Sequence, residues 1–422
     1  MSRSFEIVIF GASGFTGEYV VENLAKYLAK KKKNLCWAAA GRSEAKVRSS
    51  LTSIGTRIGI NFDSVPVITA TVGDDASLDA MTKQAVLLIN CTGPFRYYGE
   101  EVVVSCLRNS CHYIDISGEP QFLEKIQLKY HEEAKEKGVY IIPSCGFDSV
   151  PCDLGVNFIK DSFKPGVLNS VETYLTTGVT TGNHTTWECA VEGIADTNTL
   201  ISIRRQLYRE HFPEVMKIRS KFPIQQKGLT RFSDAASGLS GWIMPFIGAD
   251  RSVVRRSQMD NYKYFNEKDM VQMEAYVIHT LFVLLRWIGA GVWLKLLYRF
   301  GWGRTLLKQF PSFFTYGMFT MDGPTRHETD TTNFSIHFLG KGWKEGDDRD
   351  KPPTSTIAAK VTGPHPGYPT CAICVNQSAL MVLEEKTNLP LNGGVFTPGT
   401  AFRNTSLIKR LNENGVVFQL IY

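Results

Sequence analysis

The residue types best suited to chemistry stand close to the start of the chain. Gly11, Ala12, Ser13, Gly14, Phe15, Thr16 and Gly17 form a run with glycine at every third position. A pyrophosphate needs backbone N–H groups at a helix N-terminus and a main chain it can approach closely, and glycines between a strand and a helix supply both. The spacing is GxxGxxG rather than the commoner GxGxxG, and a purely structural tight turn also uses glycine, so the surroundings decide. Before the run lies EIVIF, Glu6 to Phe10, suited to a strand buried on both faces. After it, Tyr19, Val20, Val21, Leu24 and Leu28 repeat at helical spacing up to Lys30–Lys33, where cations meet the negative end of a helix dipole. Strand, turn and helix in this order predict a dinucleotide site.

Cofactor choice is read at the end of the second predicted strand, where an NAD enzyme places Asp or Glu against the ribose hydroxyls. Here the chain offers Gly41, Arg42, Ser43 and Lys46. A guanidinium pairs with a 2′-phosphate, so Arg42 points to NADP; Glu44 nearby leaves NAD open, and a solvated arginine is the bland alternative. Candidate proton donors follow later strand ends. Tyr97 and Tyr98 come after Gly93-Pro94, Asp115 and Glu119 after the fifth strand, and Cys145 and Asp148 after the sixth. Tyr98, Asp115 and Cys145 are taken as the catalytic candidates, with packing or loop capping the alternative for each. No GxSxG, HExxH or Walker sequence occurs.

Positioning these residues requires a sheet. Strands are predicted at Glu6–Phe10, Leu35–Ala40, Val65–Val72, Val86–Cys91, His112–Ile116 and Val139–Pro143, with helices near 76–84, 99–109 and 120–137. Six strands separated by helices make a doubly wound parallel sheet, with ligands outside the carboxyl ends of its strands. Beyond Pro151 the alternation gives way to isolated strands at 168–176, 332–339, 355–362 and 415–421 and a helix at 369–385. The expectation is an α/β chain with a Rossmann-like domain over 1–155 and a mixed α+β domain over 156–422. His184 and Trp187, in GNHTTWE, could line a cleft in the second domain, though packing and capping are the commoner roles for such residues.

The segments GASGFTG, AGRS, NCTGPFRYYGE, HYIDISGEPQF, GVYIIPSCGFDSVPCDLG and GGVFTPGTAF resemble the saccharopine dehydrogenase-like oxidoreductase family over nearly the whole chain. They are most similar to its animal branch, associated with lipid droplets and membranes. The resemblance implies a Rossmann domain, a second mixed sheet and a relation to bacterial trans-acting enoyl reductases of long-chain lipid synthesis. By motif match it implies cofactor contacts at Gly11, Gly14, Gly17 and Arg42, and more loosely at Thr92, Gly93 and Pro94. It transfers no catalytic residues.

Two features of the second half bear on partners. Between Arg204 and Arg231 eight basic residues, Arg219 among them, face two acidic ones. No nucleic-acid motif accompanies them, so an anionic membrane surface, an acidic ligand head or a solvated helix face is expected instead. From Ala275 to Phe300 the chain is almost wholly apolar, broken by His279, Arg286, Lys295 and Arg299. A spanning helix needs about 20 apolar residues, and a central arginine costs about 2.5 to 3.5 kcal/mol. The expectation is therefore an apolar helical hairpin over 271–320, broken at Gly289-Ala290-Gly291. Its first helix would carry a polar stripe of Gln272, His279 and Arg286, with Leu284 and Leu294 on the apolar face. It would insert into one leaflet; a buried hairpin or a homodimer interface is the alternative.

Composition sets the outer bounds. The chain has 422 residues, 43 % apolar and 21 % charged, and a net charge of +6, the usage of a folded protein with a large core. Its nine cysteines are odd in number and irregularly spaced, and the Cys371/Cys374 pair lacks a second CxxC or a histidine pair. Reduced thiols and no metal are expected. The first residues lack the pattern of a secretory signal, so a cytosol-facing protein is expected. Together these readings predict an NADP-dependent oxidoreductase acting on a lipid-like substrate at a lipid droplet or on the cytosolic face of a membrane such as the endoplasmic reticulum. A catalytically silent cofactor-binding droplet protein and a saccharopine-type amino-acid dehydrogenase are the alternatives.

Overall fold

Strand β1 (Phe5–Phe10) buries Ile7, Val8, Ile9 and Phe10 almost completely, as a strand covered on both faces must. In the computed structural model, which describes residues 3–178, 180–218 and 220–422, it is an inner strand of a seven-stranded parallel sheet. The other strands are β2 (Trp37–Gly41), β3 (Val67–Thr69), β4 (Ala85–Asn90), β5 (His112–Asp115), β6 (Tyr140–Ile142) and the short Gly394–Val395. Their spatial order is Gly394–Val395, β6, β5, β4, β1, β2, β3. After β3 the chain returns to the other side of β1, so the order reverses between β1 and β4, and the ligand crevice of a doubly wound sheet opens there. Helix α1 (Phe15–Lys31) follows β1 and ends with Lys30 and Lys31 in its last turn. Helices α2 (Glu44–Ile58), α3 (Asp75–Thr82), α4 (Phe95–Arg108) and α5 (Pro120–Glu136) alternate with the next strands.

This sheet belongs to a compact unit of residues 1–118, 125–150 and 367–414. The last segment, absent from a linear division at 155/156, brings back helix Cys371–Glu384. Its residues Cys371–Val382 are all buried, and Asn376 Nδ2 donates to Val20 O at 3.0 Å and Asn23 Oδ1 at 2.9 Å on α1. Cys371 and Cys374 are thus core residues, and burial pushes the Cys371 thiol up to about 12.

The second unit, residues 119–124, 151–366 and 415–422, holds a seven-stranded mixed sheet. Its order is Val417–Leu420, Ser355–Pro364, Asn333–Trp343, Val167–Thr177, Gln272–His279, Leu239–Pro245, Thr230–Asp234. Only Val167–Thr177 and Gln272–His279 pair in parallel. The four strands expected from sequence are present, and three more, at 230–234, 239–245 and 272–279, join them.

The last of these corrects the expected hairpin. Gln272–His279 is an inner strand, so the helical stripe of Gln272, His279 and Arg286 does not form. Thr280 caps the helix that follows, accepting from Val283 N at 3.4 Å, and Leu281–Leu297 runs unbroken through Gly289-Ala290-Gly291. Gly289 admits a neighbour instead of breaking the helix: a Cβ there would lie 2.5 Å from the Tyr316 ring. The chain turns at Tyr298–Phe300 into helices Gly301–Gln309 and Pro311–Phe314. Leu284 and Leu294 are buried; Leu294 packs with Ala290, Leu307, Phe314, Met318, Trp187 and Val191. Trp187 therefore lines this core, its Nε1 donating to Leu307 O at 2.9 Å, while His184 Nδ1 meets Met321 O at 3.0 Å.

Three members of the basic run from Arg204 to Arg231 are tied up in ion pairs within this unit. Arg204 pairs with buried Glu124, Lys221 with Asp350, and Lys227 with Glu172 at 2.7 Å. Arg219 lies outside the described residues.

Candidate functional site

The three glycines of the first turn do three different jobs. Gly11 adopts φ +85°, and a Cβ on it would lie 2.9 Å from Thr92 Cγ2, so it allows both the turn and the close approach of the loop after β4. A Cβ on Gly17 would lie 2.0 Å from Gly11 O, so Gly17 lets α1 start directly beneath the turn. Gly14 is different. It is exposed, has ordinary extended angles (φ −82°, ψ 162°), and a Cβ would meet only Gly11 O at 3.2 Å. The turn's own packing asks less of this position than of Gly11 or Gly17, since Gly11 O would have to give by only a few tenths of an ångström, whereas a phosphate approaching the main chain needs the space left bare. No side chain caps this end of α1. The first intrahelical donor is Glu18 N, to Gly14 O at 2.9 Å, so the N–H groups of Phe15, Thr16 and Gly17 are not used within the helix. Ala12 is buried and Ser13 half-buried beside Gly41; Gly11 N and Ala12 N both donate to Ala40 O, fastening the turn to the end of β2.

Arg42 follows β2, exposed and without an ion pair among the described residues, while Ser43 caps α2 by accepting from Lys46 N. Glu44 is engaged at 3.9 Å with Arg48. Thr92 is fixed by Asn90, whose Oδ1 accepts from its N–H and its hydroxyl; Gly93 is exposed, and Pro94 begins the first turn of α4. Turn, Arg42 and Thr92 thus converge on the carboxyl ends of three neighbouring strands. An open cradle at Gly14, unused N–H groups and an unpaired guanidinium fit a dinucleotide with a 2′-phosphate.

A wall of this cradle is supplied from far along the sequence. Phe15 meets Tyr368 edge-on with ring centroids 4.7 Å apart, and Tyr19 stacks on it at 5.6 Å. Sequence reading missed Tyr368. Its only local signal is the Pro366-Gly-Tyr-Pro369 turn before a helix, and that says nothing about where the turn docks.

The catalytic candidates separate sharply. Asp115 is fully buried and braces the ends of β5 and β6: its Oδ2 accepts from the Tyr113 hydroxyl at 2.7 Å, and its Oδ1 from Ser117 N at 2.9 Å and Ser144 N at 2.8 Å. Asn90 Nδ2 donates to Tyr113 Oη, which joins this network to Thr92. Ser144 sits at φ +66°, a conformation that the Asp115 bond helps to hold. Cys145 is also fully buried; its Sγ donates to Ile142 O at 3.2 Å, and burial and then Asp115 raise its thiol far above the usual range. The fold gives both residues positioning work. Glu119 is buried too, accepting from Cys189 Sγ at 3.5 Å.

Tyr98 and Asp148 remain. Tyr98 is 43 % exposed in the first turn of α4, edge-on to Tyr97 at 6.1 Å, and no hydrogen bond brings it onto Asp115 or Cys145. Asp148 stands half-buried after β6 with its Oδ2 2.5 Å from where a Gly118 Cβ would be, and burial raises its carboxyl to about 6. A carboxyl poised near neutrality at a strand's carboxyl end suits proton transfer. Among the described residues no cluster of His, Cys, Asp or Glu is placed to hold a metal.

Residues 7–142, the span from β1 to β6, match the family described as the saccharopine dehydrogenase NADP binding domain. Over 99 % of its length the chain is 40 % identical to the human saccharopine dehydrogenase-like oxidoreductase, of which 98 % is covered. The chain belongs to that family. A Caenorhabditis elegans relative, the lipid droplet localized protein, is 36 % identical over all of this chain and 99 % of its own. Among solved structures, the apo saccharopine dehydrogenase (L-Glu forming) of Saccharomyces cerevisiae superposes with a TM-score of 0.55 over 99 % of this chain and all of its own, at 12 % identity, a likeness of fold. The first unit of this family member is an NADP-binding Rossmann-like domain, and NADP bound there supplies hydride chemistry.

Proposed function

We propose that the protein is an NADP-dependent oxidoreductase that acts on a lipid-like substrate at the surface of a lipid droplet or on the cytosolic face of its parent membrane. The observation that carries this reading is the outward face of helix Leu281–Leu297, where Leu281, Phe282, Leu285, Ile288, Val292 and Leu296 are all exposed. A run of large apolar side chains facing solvent marks an interaction surface, and a soluble amino-acid substrate gives no reason for one. No helix among the described residues is long and apolar enough to cross a membrane. At about 1.5 Å per residue this helix reaches about 25 Å, short of a hydrocarbon core of about 30 Å. The droplet association in the name of the Caenorhabditis elegans relative supports the same setting.

In the crevice, the first-turn N–H groups of α1 bind pyrophosphate and Arg42 the 2′-phosphate. The Asp115 network holds the strand ends in register, and Asp148 holds or releases the proton, with Tyr98 the alternative at the same crevice. The test is lipid analysis of cells lacking the protein, restored with wild type or with Gly14→Val. A lipid class should shift in the null and return only with wild type. Equal restoration by Gly14→Val, when that variant binds no NADPH, rules out the oxidoreductase reading and favours a silent cofactor-binding protein.

A further inference from the structure

The charge around that apolar face specifies its partner more closely. At about 100° per residue, Ile288, Leu281, Val292, Leu285 and Leu296 fall within about 80° of one another on the helix. Phe282, 70 % exposed, widens the sector, and two later residues flank it: Tyr316, whose ring fills the space over Gly289, and Phe313, 6.4 Å from Trp293. The apolar sector then spans about 140°. The two cations within the helix, Arg286 and Lys295, fall at its opposite edges, each about 90° from its middle.

Arg286 is held at its edge, donating to Tyr316 O with its guanidinium 5.7 Å from the Phe282 ring. Lys295 and, just past the helix end, Arg299 are exposed and form no ion pair among the described residues. Arg304 and Lys308 are neutralised by Glu192. From Thr280 to Met321 there is no acidic residue at all, so this segment itself contributes only positive charge to the edges of the sector. Cations at both edges, level with the helix axis, keep the helix from sinking into hydrocarbon. They suit a helix lying flat, with its apolar side down and its charges among lipid phosphates.

We propose that the partner of this face is a phospholipid surface carrying anionic headgroups, with helix Leu281–Leu297 lying in its plane and Lys295 and Arg299 at headgroup level. This rests on the droplet or membrane reading above and adds the headgroup charge and the orientation.

The experiment is flotation of the full-length protein with phosphatidylcholine vesicles and with vesicles containing about 30 % phosphatidylserine, enough to set up an anionic surface potential. Wild type should bind the anionic vesicles about tenfold tighter or more, and salt should erase the difference. The pair Lys295→Glu and Arg299→Glu should reduce binding to the neutral-vesicle level. The pair Leu285→Asp and Val292→Asp should abolish binding to both. A far-UV circular dichroism spectrum and Tm unchanged in every variant report that the second unit is folded, and unchanged NADPH affinity reports the same of the first. Equal wild-type binding to both vesicles, indifferent to the charge reversals, overturns the headgroup inference and leaves the droplet reading standing. Failure to bind vesicles or isolated droplets of any composition overturns both, as does a wild-type dimer that Leu285→Asp and Val292→Asp split while lipid binding is absent.

Discussion

The glycine turn between β1 and α1 and the outward face of helix Leu281–Leu297 both present groups that the rest of the chain leaves unsatisfied, polar N–H groups in one and apolar carbon in the other. They differ in how finely they are specified. At the turn a single Cβ decides the outcome, because a phosphate and a main chain must meet at hydrogen-bond distance. On the helix face no single residue is decisive, since apolar area is additive and non-directional. A site of the first kind is broken by one substitution, and one of the second kind only by several or by a charge.

The largest contrast lies within one helix. Leu284 is buried and Leu285 is 57 % exposed. Leu284→Asp places an unpaired carboxylate in the core and should cost about 4 kcal/mol, read as a large fall in Tm. Leu285→Asp should stay within about 0.5 kcal/mol in stability yet weaken attachment to lipid. Comparable melting losses for the two would mean that the outward face is packed.

The glycines give the next contrast. Gly17→Val drives a side chain into Gly11 O and should destabilise by about 3 kcal/mol. Gly14→Val should leave melting within a few degrees and lower NADPH affinity about a hundredfold, measured by calorimetry. If both variants melt early, Gly14 is a structural glycine.

Asp148→Asn should slow hydride transfer about a hundredfold and remove a limb near pH 6 from the rate profile. It has a second signature in stability. The carboxyl titrates near 3.8 when unfolded and near 6 when folded, so between those values the folded protein binds more protons and stability falls as pH rises. The Asn variant should lose that slope in pH-dependent denaturant titrations. The smallest effect is expected at Arg42, where Arg42→Ala should narrow the preference for NADPH over NADH about tenfold, the worth of a charge-assisted bond of about 1.5 kcal/mol. Equal affinity of wild type for both cofactors removes this role.

The same difference explains what was legible in the sequence. The six strands and the turn of the first sheet could be read because buried parallel strands are short apolar runs punctuated by glycine, and phosphate binding demands glycine at set spacing. The strand Gly394–Val395 and Tyr368 could not, because two residues carry no period and a docking position is a tertiary fact. In the second unit, Gln272–His279 merged with the helix after it because both are apolar and neither Gly nor Pro parts them. Thr280, a helix cap, was the one mark of the boundary. Apolar residues at helical spacing did not distinguish inward Leu284 and Leu294 from outward Leu285 and Val292. For Asp115 and Cys145 the strand-end position was informative, but only the hydrogen bonds from Tyr113, Ser117 and Ser144, and the burial of the thiol, assign them to support.

The most direct test of a lipid-surface NADP enzyme is NADPH oxidation by the full chain on isolated lipid droplets, comparing wild type with Leu285→Asp/Val292→Asp and with Gly14→Val. Wild type should consume NADPH when droplets are present. The face variant should bind NADPH with full affinity but lose at least about nine-tenths of the droplet-dependent rate, and Gly14→Val should lose about as much at an NADPH concentration that just saturates wild type. A face variant as fast as wild type, or a wild type that consumes no NADPH with any droplet lipid, contradicts the claim.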